Sequence, residues 1–322
     1  MKNNILVLSA GRRVELIQSF QESILKLGVD SLVFTTDIQP KLSPACMVSD
    51  KSFSVPRVTD SDYINVVLEL CLNNDVKLVI PTIDTELLLL SKNKARFEEL
   101  GIKLVISSVE LISNCRDKRL TGKWFESLNI DTPLIFNKDS INFPCFCKPY
   151  DGSCSKGAIA LSSQAELTQD LINDPKNMFM ELVPKTFSEY TIDAYYSNDS
   201  RLKCLVPRKR LEVRSGEISK GVTRKNFVYH YLLERVEYLE GARGCITFQL
   251  FVNESSRVIK GLEVNPRFGG GYPLSDAAGA NFTKWLIEEY ILNKELLFID
   301  DWQPNKLMLR YDAKVLQNDF PE

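Results

Sequence analysis

Gly261-Leu262-Glu263-Val264-Asn265-Pro266-Arg267-Phe268-Gly269-Gly270-Gly271 alternates apolar and polar residues and then breaks into glycines. Successive side chains of a strand point to opposite faces, so Glu263, Asn265 and Arg267 project together. That face carries a carboxylate, a neutral oxygen ligand and a guanidinium in a row. Hard cations such as Mg²⁺ take oxygen ligands and keep part of their shell for water and substrate phosphate. The fixed fork of N–H donors on Arg267 suits a phosphate oxygen. Upstream, Cys245-Ile246-Thr247-Phe248-Gln249-Leu250-Phe251 also alternates, which allows Gln249 to sit across a hairpin from Glu263. An ordinary hairpin with a polar outer face is the plainer reading. Asn-Pro followed by three glycines is poor material for such a strand end.

The 322 residues suffice for two or three lobes. Hydrophobic content of 44% and charged content of 25% are those of an ordinary globular protein. A net charge of −2 gives no ground for general attraction to nucleic acid or a membrane. The N-terminal apolar run, Ile5 to Leu8, has a strand's length and is too short for a signal core or a membrane span. The eight cysteines are scattered without a CxxC pair, so reduced thiols and a cytoplasmic location are expected. Cys145 and Cys147 share a strand face, where core packing is expected rather than a metal. The single histidine, His230, excludes a mechanism that needs several imidazoles and reads as structural or surface.

Residues 1–113 alternate strand and helix patterns, which predicts a parallel α/β lobe. Strands are expected near 4–8, 31–35, 77–80 and 103–106, and helices over 13–27, 61–73 and 84–99, with Gly28 closing the first helix. The turn Ser9-Ala10-Gly11-Arg12-Arg13 lacks GxGxxG, so a dinucleotide site is disfavoured. Helix N-terminal amides with Arg12 or Arg13 could hold a substrate anion. Asp84 and Glu86 follow a strand's C-terminal end, where open α/β sheets place ligands. They either open a helix, as acids favour that end, or receive a substrate ammonium.

Asn114 to Thr121 opens a helix with Arg116, Lys118 and Arg119 at its start, where the dipole disfavours cations; a bound polyphosphate would account for them. Phe143 to Pro149 is an apolar strand whose one charge is Lys148, and burying a lone ammonium calls for an anionic partner. In Asp151-Gly152-Ser153-Cys154-Ser155-Lys156-Gly157, small residues between glycines let backbone N–H groups approach phosphate oxygens. Strands follow at 177–183, 188–196 and 202–206. Arg208, Lys209, Arg210 and Arg214 make the next stretch basic, but it lacks the interleaved aromatics of an RNA surface. Arg208 and Arg210 share a face. Residues 215–222 read as a mobile stretch and a candidate lid, and 307–315 as a returning strand.

Gln249 followed by Glu263, Asn265 and Arg267 resembles the metal and phosphate signature of the ATP-grasp superfamily, in the group named after the carbamoyl-phosphate synthetase large subunit. The resemblance implies a pre-ATP-grasp parallel α/β lobe (1–113), then a two-lobed ATP-grasp fold with antiparallel sheets: a central nucleotide-clamping lobe (114–183) and a C-terminal lobe (184–322) with the metal site. It implies ATP and Mg²⁺ (or Mn²⁺), with Gln249, Glu263 and Asn265 on the metal. Lys118 and Lys148 would reach the phosphates, under a covering loop of Gly152, Ser153, Ser155, Lys156 and Gly157 in which Lys156 is a movable cation. Glu181 with the Leu182 and Val183 backbone would read adenine, and Glu189 the ribose. Arg267, Lys156, Arg208 and Arg210 would act on the transferred phosphoryl group or the substrate carboxylate, with Arg12, Asp84 and Glu86 near the substrate.

The implied chemistry is ATP-dependent carboxylate–amine ligation through an acyl phosphate, on an amino acid or another small metabolite. A small-molecule kinase of ATP-grasp type and a non-catalytic nucleotide sensor are the alternatives. The chain has about the length of one ATP-grasp unit with its preceding lobe, which argues against carbamoyl phosphate synthesis itself. The expected partners are small carboxylate and amine substrates and a second copy of the chain, with neither nucleic acid nor membrane.

Overall fold

Strand β1 (Asn4–Val7) is buried along its whole length, as a central parallel strand covered on both faces must be. It lies between β2 (Val33–Asp37) and β4 (Val76–Ile80), with β3 (Lys51–Ser54) and β5 (Lys103–Leu104) at the edges, giving a parallel sheet ordered β3-β2-β1-β4-β5. In a computed structural model, residues 3–152, 157–214, 216–318 and 320 are described. Helices α1 (Val14–Leu27), α2 (Pro44–Val48), α3 (Tyr63–Asn73), α4 (Asp84–Lys92) and α5 (Lys94–Glu99) accompany this sheet. Gly28 ends α1 at φ 63°, a left-handed geometry that glycine adopts without a Cβ penalty. The single helix expected over 84–99 is broken at Asn93, whose side-chain amide donates to the Leu89 carbonyl.

Helices α6 (Val109–Arg116) and α7 (Lys118–Ser127) lead to a four-stranded antiparallel sheet. Its strands are β6 (Ile135–Phe136), β7 (Cys145–Pro149), β8 (Ile159–Leu161) and β9 (Asn177–Glu181), in the order β6-β9-β7-β8, with helix α8 (Gln169–Asn173) before the last. This sheet has a small core of its own in which Cys145 and Cys147 pack with Leu161 and Phe179. A six-stranded antiparallel sheet follows, ordered β14-β13-β10-β11-β12-β15. It is made of β10 (Ser188–Tyr196), β11 (Leu202–Arg214), β12 (Glu217–Thr223), β13 (Gly244–Asn253), β14 (Val258–Asn265) and β15 (Leu307–Leu309). Helices α9 (Phe227–Leu233), α10 (Tyr272–Ala277) and α11 (Phe282–Tyr290) belong to the same part of the chain. The stretch read as a lid is for the most part strand β12, paired on both sides. Its Ile218 and Val222 are buried, so burial of its apolar residues outweighs the turn-like glycines.

The first and third sheets share one continuous hydrophobic core. Helix α1 lies against α11, where Ser19 and Ser23 each meet the Thr283 hydroxyl, at 2.7 and 3.0 Å. Phe20 packs edge-on to Phe268, just before the triple glycine. This docking brings the open end of the parallel sheet to the polar hairpin. Helix α7 covers the back of the same hairpin, with Trp124 stacked on Phe248.

Candidate active site

The pairing register builds the site as rows across the six-stranded sheet. Glu263 is opposite Gln249, Gln249 opposite Thr191, and Thr191 opposite Arg208. One step along, Asn265 is opposite Thr247 and Thr247 opposite Asp193. The expected row of Gln249, Glu263 and Asn265 therefore lies on one face of adjacent strands. Glu263 Oε1 accepts from the Asn265 amide at 3.1 Å. Its Oε2 has the Lys118 ammonium 4.0 Å away. Among the described residues, no three His, Cys, Asp or Glu side chains cluster as a metal-binding group. One carboxylate with two amide oxygens is a sparse donor set, of the kind that leaves most of a Mg²⁺ shell to water and phosphate.

Across the cleft, β7 carries Lys148, which is buried at 9% exposure. Desolvation, with a smaller contribution from Lys118, pulls its ammonium down to about 8, while Glu263 acts in the opposite sense. Among the described residues, Lys148 has no ion-pair partner. Lys118 reaches the same place from the first residue of α7 and donates to the Gly152 carbonyl. Asp117 caps that helix through the Arg119 amide and also holds the Arg119 side chain. Gly152 and Gly157 both pack on Pro149, where a Cβ would sit 3.3 and 3.2 Å from its ring atoms. Ser153, Ser155 and Lys156 lie outside the described residues.

The cleft continues between Lys118, Thr132, Pro133, Ile135, Met178 and Met180. Glu181, the last residue of β9, stands at its end and accepts from the Leu134 amide at 3.2 Å and from Lys260 at 2.5 Å. Leu182 and Val183 form the crossing between the two antiparallel sheets, and both are half-buried. Glu189 lies on the same face as Gln249 and Glu263, bound by Arg210 Nη1 at 2.9 Å and the Gln249 amide at 3.3 Å.

A cation-lined slot between two antiparallel sheets, facing a metal-type row, is thus in place. Residues 5–105 match the family described as PylC-like, N-terminal domain. Residues 173–305 match the family described as ATP-grasp in the biosynthetic pathway with Ter operon. Residues 173–305 therefore belong to an ATP-grasp family. The fold of the chain is similar to that of the biotin carboxylase domain of Hydrogenobacter thermophilus 2-oxoglutarate carboxylase, solved with MgADP, ADP and bicarbonate. The identity is 13% and the TM-score 0.70, over 94% of this chain and 73% of that one. Staphylococcus aureus N5-carboxyaminoimidazole synthetase complexed with ADP gives 14% and 0.70, over 96% and 81%. The L-amino acid ligase of Bacillus licheniformis gives 16% and 0.65, over 90% and 74%. No curated protein sequence matches the chain.

The first lobe contributes its own residues to the cleft. Asp84, at the start of α4, holds the Arg267 guanidinium through two hydrogen bonds. Arg13 spans the two lobes, donating to the Thr82 carbonyl at 2.7 Å and the Phe268 carbonyl at 3.1 Å. Burial, with Arg267 close by, pulls it down to about 10. Arg12 is exposed. Glu86 is fully buried and accepts from Ser9, Tyr63 and the Thr82 and Ile83 amides, so it caps α4 and has no face towards a substrate ammonium. Of the two sequence readings for Glu86, the helix cap is the one its surroundings allow.

Arg208 is the largest fully buried side chain and pairs with Asp193 at 2.8 Å. Asp193 also accepts from Thr247 at 3.1 Å and Ser275 at 2.6 Å. The close approach of Gly271 explains its lack of a side chain, because a Cβ there would fall 2.0 Å from Arg208 Nη1. Arg208 Nε and Nη1, Arg210 Nε and Thr191 Oγ1 are buried without a partner among the described residues.

Lys260 and Asp193 escaped the sequence reading. Lys260 is three positions before Glu263, which in a regular strand puts the two on opposite faces. A bulge intervenes: Gln249 faces Glu263 while Leu250 faces Gly261, so Leu262 is extra and Lys260 returns to the cleft side. Asp193 had a readable signal, as the one acid inside a strand of otherwise apolar and hydroxyl residues from Tyr190 to Tyr196.

Proposed function

We propose that the protein is an ATP-dependent carboxylate–amine ligase that forms an amide through an acyl phosphate, on an amino acid or a similarly small metabolite. The observation that carries this reading is the buried Lys148 ammonium, which among the described residues has no carboxylate to pair with and lies beside Lys118 opposite Glu263. An unpaired buried cation is costly. A polyphosphate would relieve that cost for both lysines, and it is what the helix start at Lys118 also favours.

Mg²⁺ or Mn²⁺ fits the oxygen set of Gln249, Glu263 and Asn265. When bound it would neutralise charge on the phosphate oxygens. The chain's own groups do the rest. Lys118 and Lys148 hold phosphates, with Gly152, Ser153, Ser155, Lys156 and Gly157 as the covering loop. Glu181 and the Leu182–Val183 backbone border the base, and Glu189 the ribose. Arg208, Arg210 and Arg267 are assigned to the developing charge on the transferred phosphoryl group and the substrate carboxylate, and the exposed Arg12 to a more peripheral anion. Asp84 and Arg267 present opposite charges at one point between the lobes, which suits a substrate bearing both an ammonium and a carboxylate. The lobe limits 1–113, 114–183 and 184–322 belong to this reading.

A carboxylate oxygen attacks the γ-phosphorus and ADP leaves. An amine then attacks the acyl carbon, loses a proton to solvent and expels phosphate. No protein nucleophile is required, because positioning and charge neutralisation dominate phosphoryl transfer. The test is ADP release from MgATP in the presence of candidate acids, with hydroxylamine added in place of the amine. A hydroxamate product is expected. ATP consumption that yields a stable phosphorylated product and no hydroxamate would make the protein a kinase. Nucleotide binding without turnover for any acid–amine pair would make it a sensor.

A further inference from the structure

On the six-stranded sheet, at the end of β10 away from the cleft, a second cavity of about 260 Å³ opens between the β10–β11 turn and the end of α11. It has room for roughly eight or nine waters at about 30 Å³ each. Its lining includes Ser197, Asn198, Lys203, Glu289, Asn293 and Leu296. Thr191 and Ser197 are six residues apart on one strand path, so the cavity lies about 20 Å from the metal row at ~3.3 Å per residue. Neither the family matches nor the ligation reading gives it a role.

The deep part of this cavity holds one cation and one anion that do not pair with each other. The Lys203 side chain is 13% exposed, and its nearest carboxylate oxygen, on Asp199, is 3.9 Å away, beyond hydrogen-bonding distance. The Ser197 hydroxyl and the Arg201 amide both bind Asp199 Oδ1, and Oδ2 is the oxygen that faces Lys203. Among the described residues no other carboxylate lies within ion-pair distance of Lys203. Glu289 is buried at 7% exposure and accepts one protein hydrogen bond on each oxygen, from the Tyr195 hydroxyl at 2.9 Å and the Asn198 amide at 2.8 Å. Each of those oxygens keeps a lone pair free. An ammonium with three unused donors and a carboxylate with spare acceptors, both largely out of water, stay costly unless something polar lies between them.

We propose that this cavity is a second small-molecule site that binds a free amino acid, with its carboxylate on Lys203 and its ammonium on Glu289. The separated charges select a zwitterion. A simple carboxylate would meet Asp199, Glu289 and Glu295, and a simple amine would meet Lys203 and Lys294. Asn198 and Asn293 at the exposed rim supply further polar contacts to the ligand's backbone atoms. Because β10 carries Glu189 and runs directly into Ser197, occupancy would stiffen the strand that also lines the cleft.

The experiment is calorimetric titration of the full chain, without nucleotide, with L-amino acids one at a time, alongside their carboxamides and des-amino acids. It is repeated on Lys203→Met and, as a rim substitution that leaves the buried charges in place, on Asn198→Ala. The expected result is a saturable step for at least one amino acid that neither analogue reproduces. Lys203→Met should weaken that step at least about tenfold, ~1.4 kcal/mol, while MgADP binding stays at the wild-type level. Asp84→Asn in the cleft should leave it unchanged. If every amino-acid step survives both Lys203→Met and Asn198→Ala, or if none exists, the second site is disproved whatever the cleft catalyses.

Discussion

The Arg267 guanidinium holds the Asp84 carboxylate in a bidentate ion pair, Nε to Oδ1 at 2.9 Å and Nη2 to Oδ2 at 2.6 Å, across 183 residues of sequence. Two elements that each look complete, a helix start and the residue after a metal-type strand, are thereby fixed against each other. Charged hydrogen bonds of this kind contribute about 1.5–3 kcal/mol each. Asp84→Asn should lower unfolding stability by about that much in urea titrations. A double-mutant cycle with Arg267→Gln should return a coupling energy of the same order. Strict additivity of the two substitutions would show that the pair does not join the lobes.

Glu263 is half-buried, and among the described residues its partner within ion-pair distance is Lys118 at 4.0 Å. A pair that long and partly wet adds at most about 1 kcal/mol to stability. Glu263→Gln should therefore melt close to wild type yet lose about 10² to 10³ in ligation turnover, the usual size for one electrostatic partner. Steady-state ADP release reads the second quantity, and near-normal turnover would remove Glu263 from the mechanism.

If Lys148 holds a phosphate as proposed, nucleotide affinity should depend on pH. Its folded-state value of about 8 is below the ordinary lysine range because of burial, so the ammonium is lost in the free protein as pH rises through 8. Phosphate binding requires that ammonium, and affinity for MgADP should fall above this pH. Stability of the free protein should move the other way. Between about 8 and the unfolded value near 10.4, the unfolded chain binds the extra proton, so stability rises with pH. Lys148→Gln should flatten both curves; an unchanged MgADP profile in that variant would assign the titration elsewhere.

Gly261 lies where helix α7 crosses the back of the β13–β14 hairpin. A Cβ there would fall 2.5 Å from the ring of Phe125, which is fully buried and has little room to move. Overpacking of this kind costs typically about 1–3 kcal/mol. Gly261→Ala should lower the denaturation midpoint accordingly. It should also weaken nucleotide binding, because Lys118 begins the displaced helix. Wild-type affinity in the destabilised variant would mean that α7 moves without its first residue.

Local chemistry wrote much of this protein into its sequence. Strand alternation put Glu263 and Asn265 on one face, and the register set Gln249 opposite Glu263, because a pleat repeats every two residues whatever surrounds it. Alternating strands and helices in the first lobe were enough for four of the five parallel strands, all but the edge strand β3, and Gly28 marked the end of α1. Tertiary structure decided what long-range docking alone controls. It gave Arg267 to Asp84, Lys260 to Glu181 and Arg208 to Asp193, and it made most of the 215–222 stretch, read as a candidate lid, part of the interior strand β12. Those outcomes depend on a bulge, on buried charges finding partners and on lobes closing over one another. None of these has a period that a linear sequence can display.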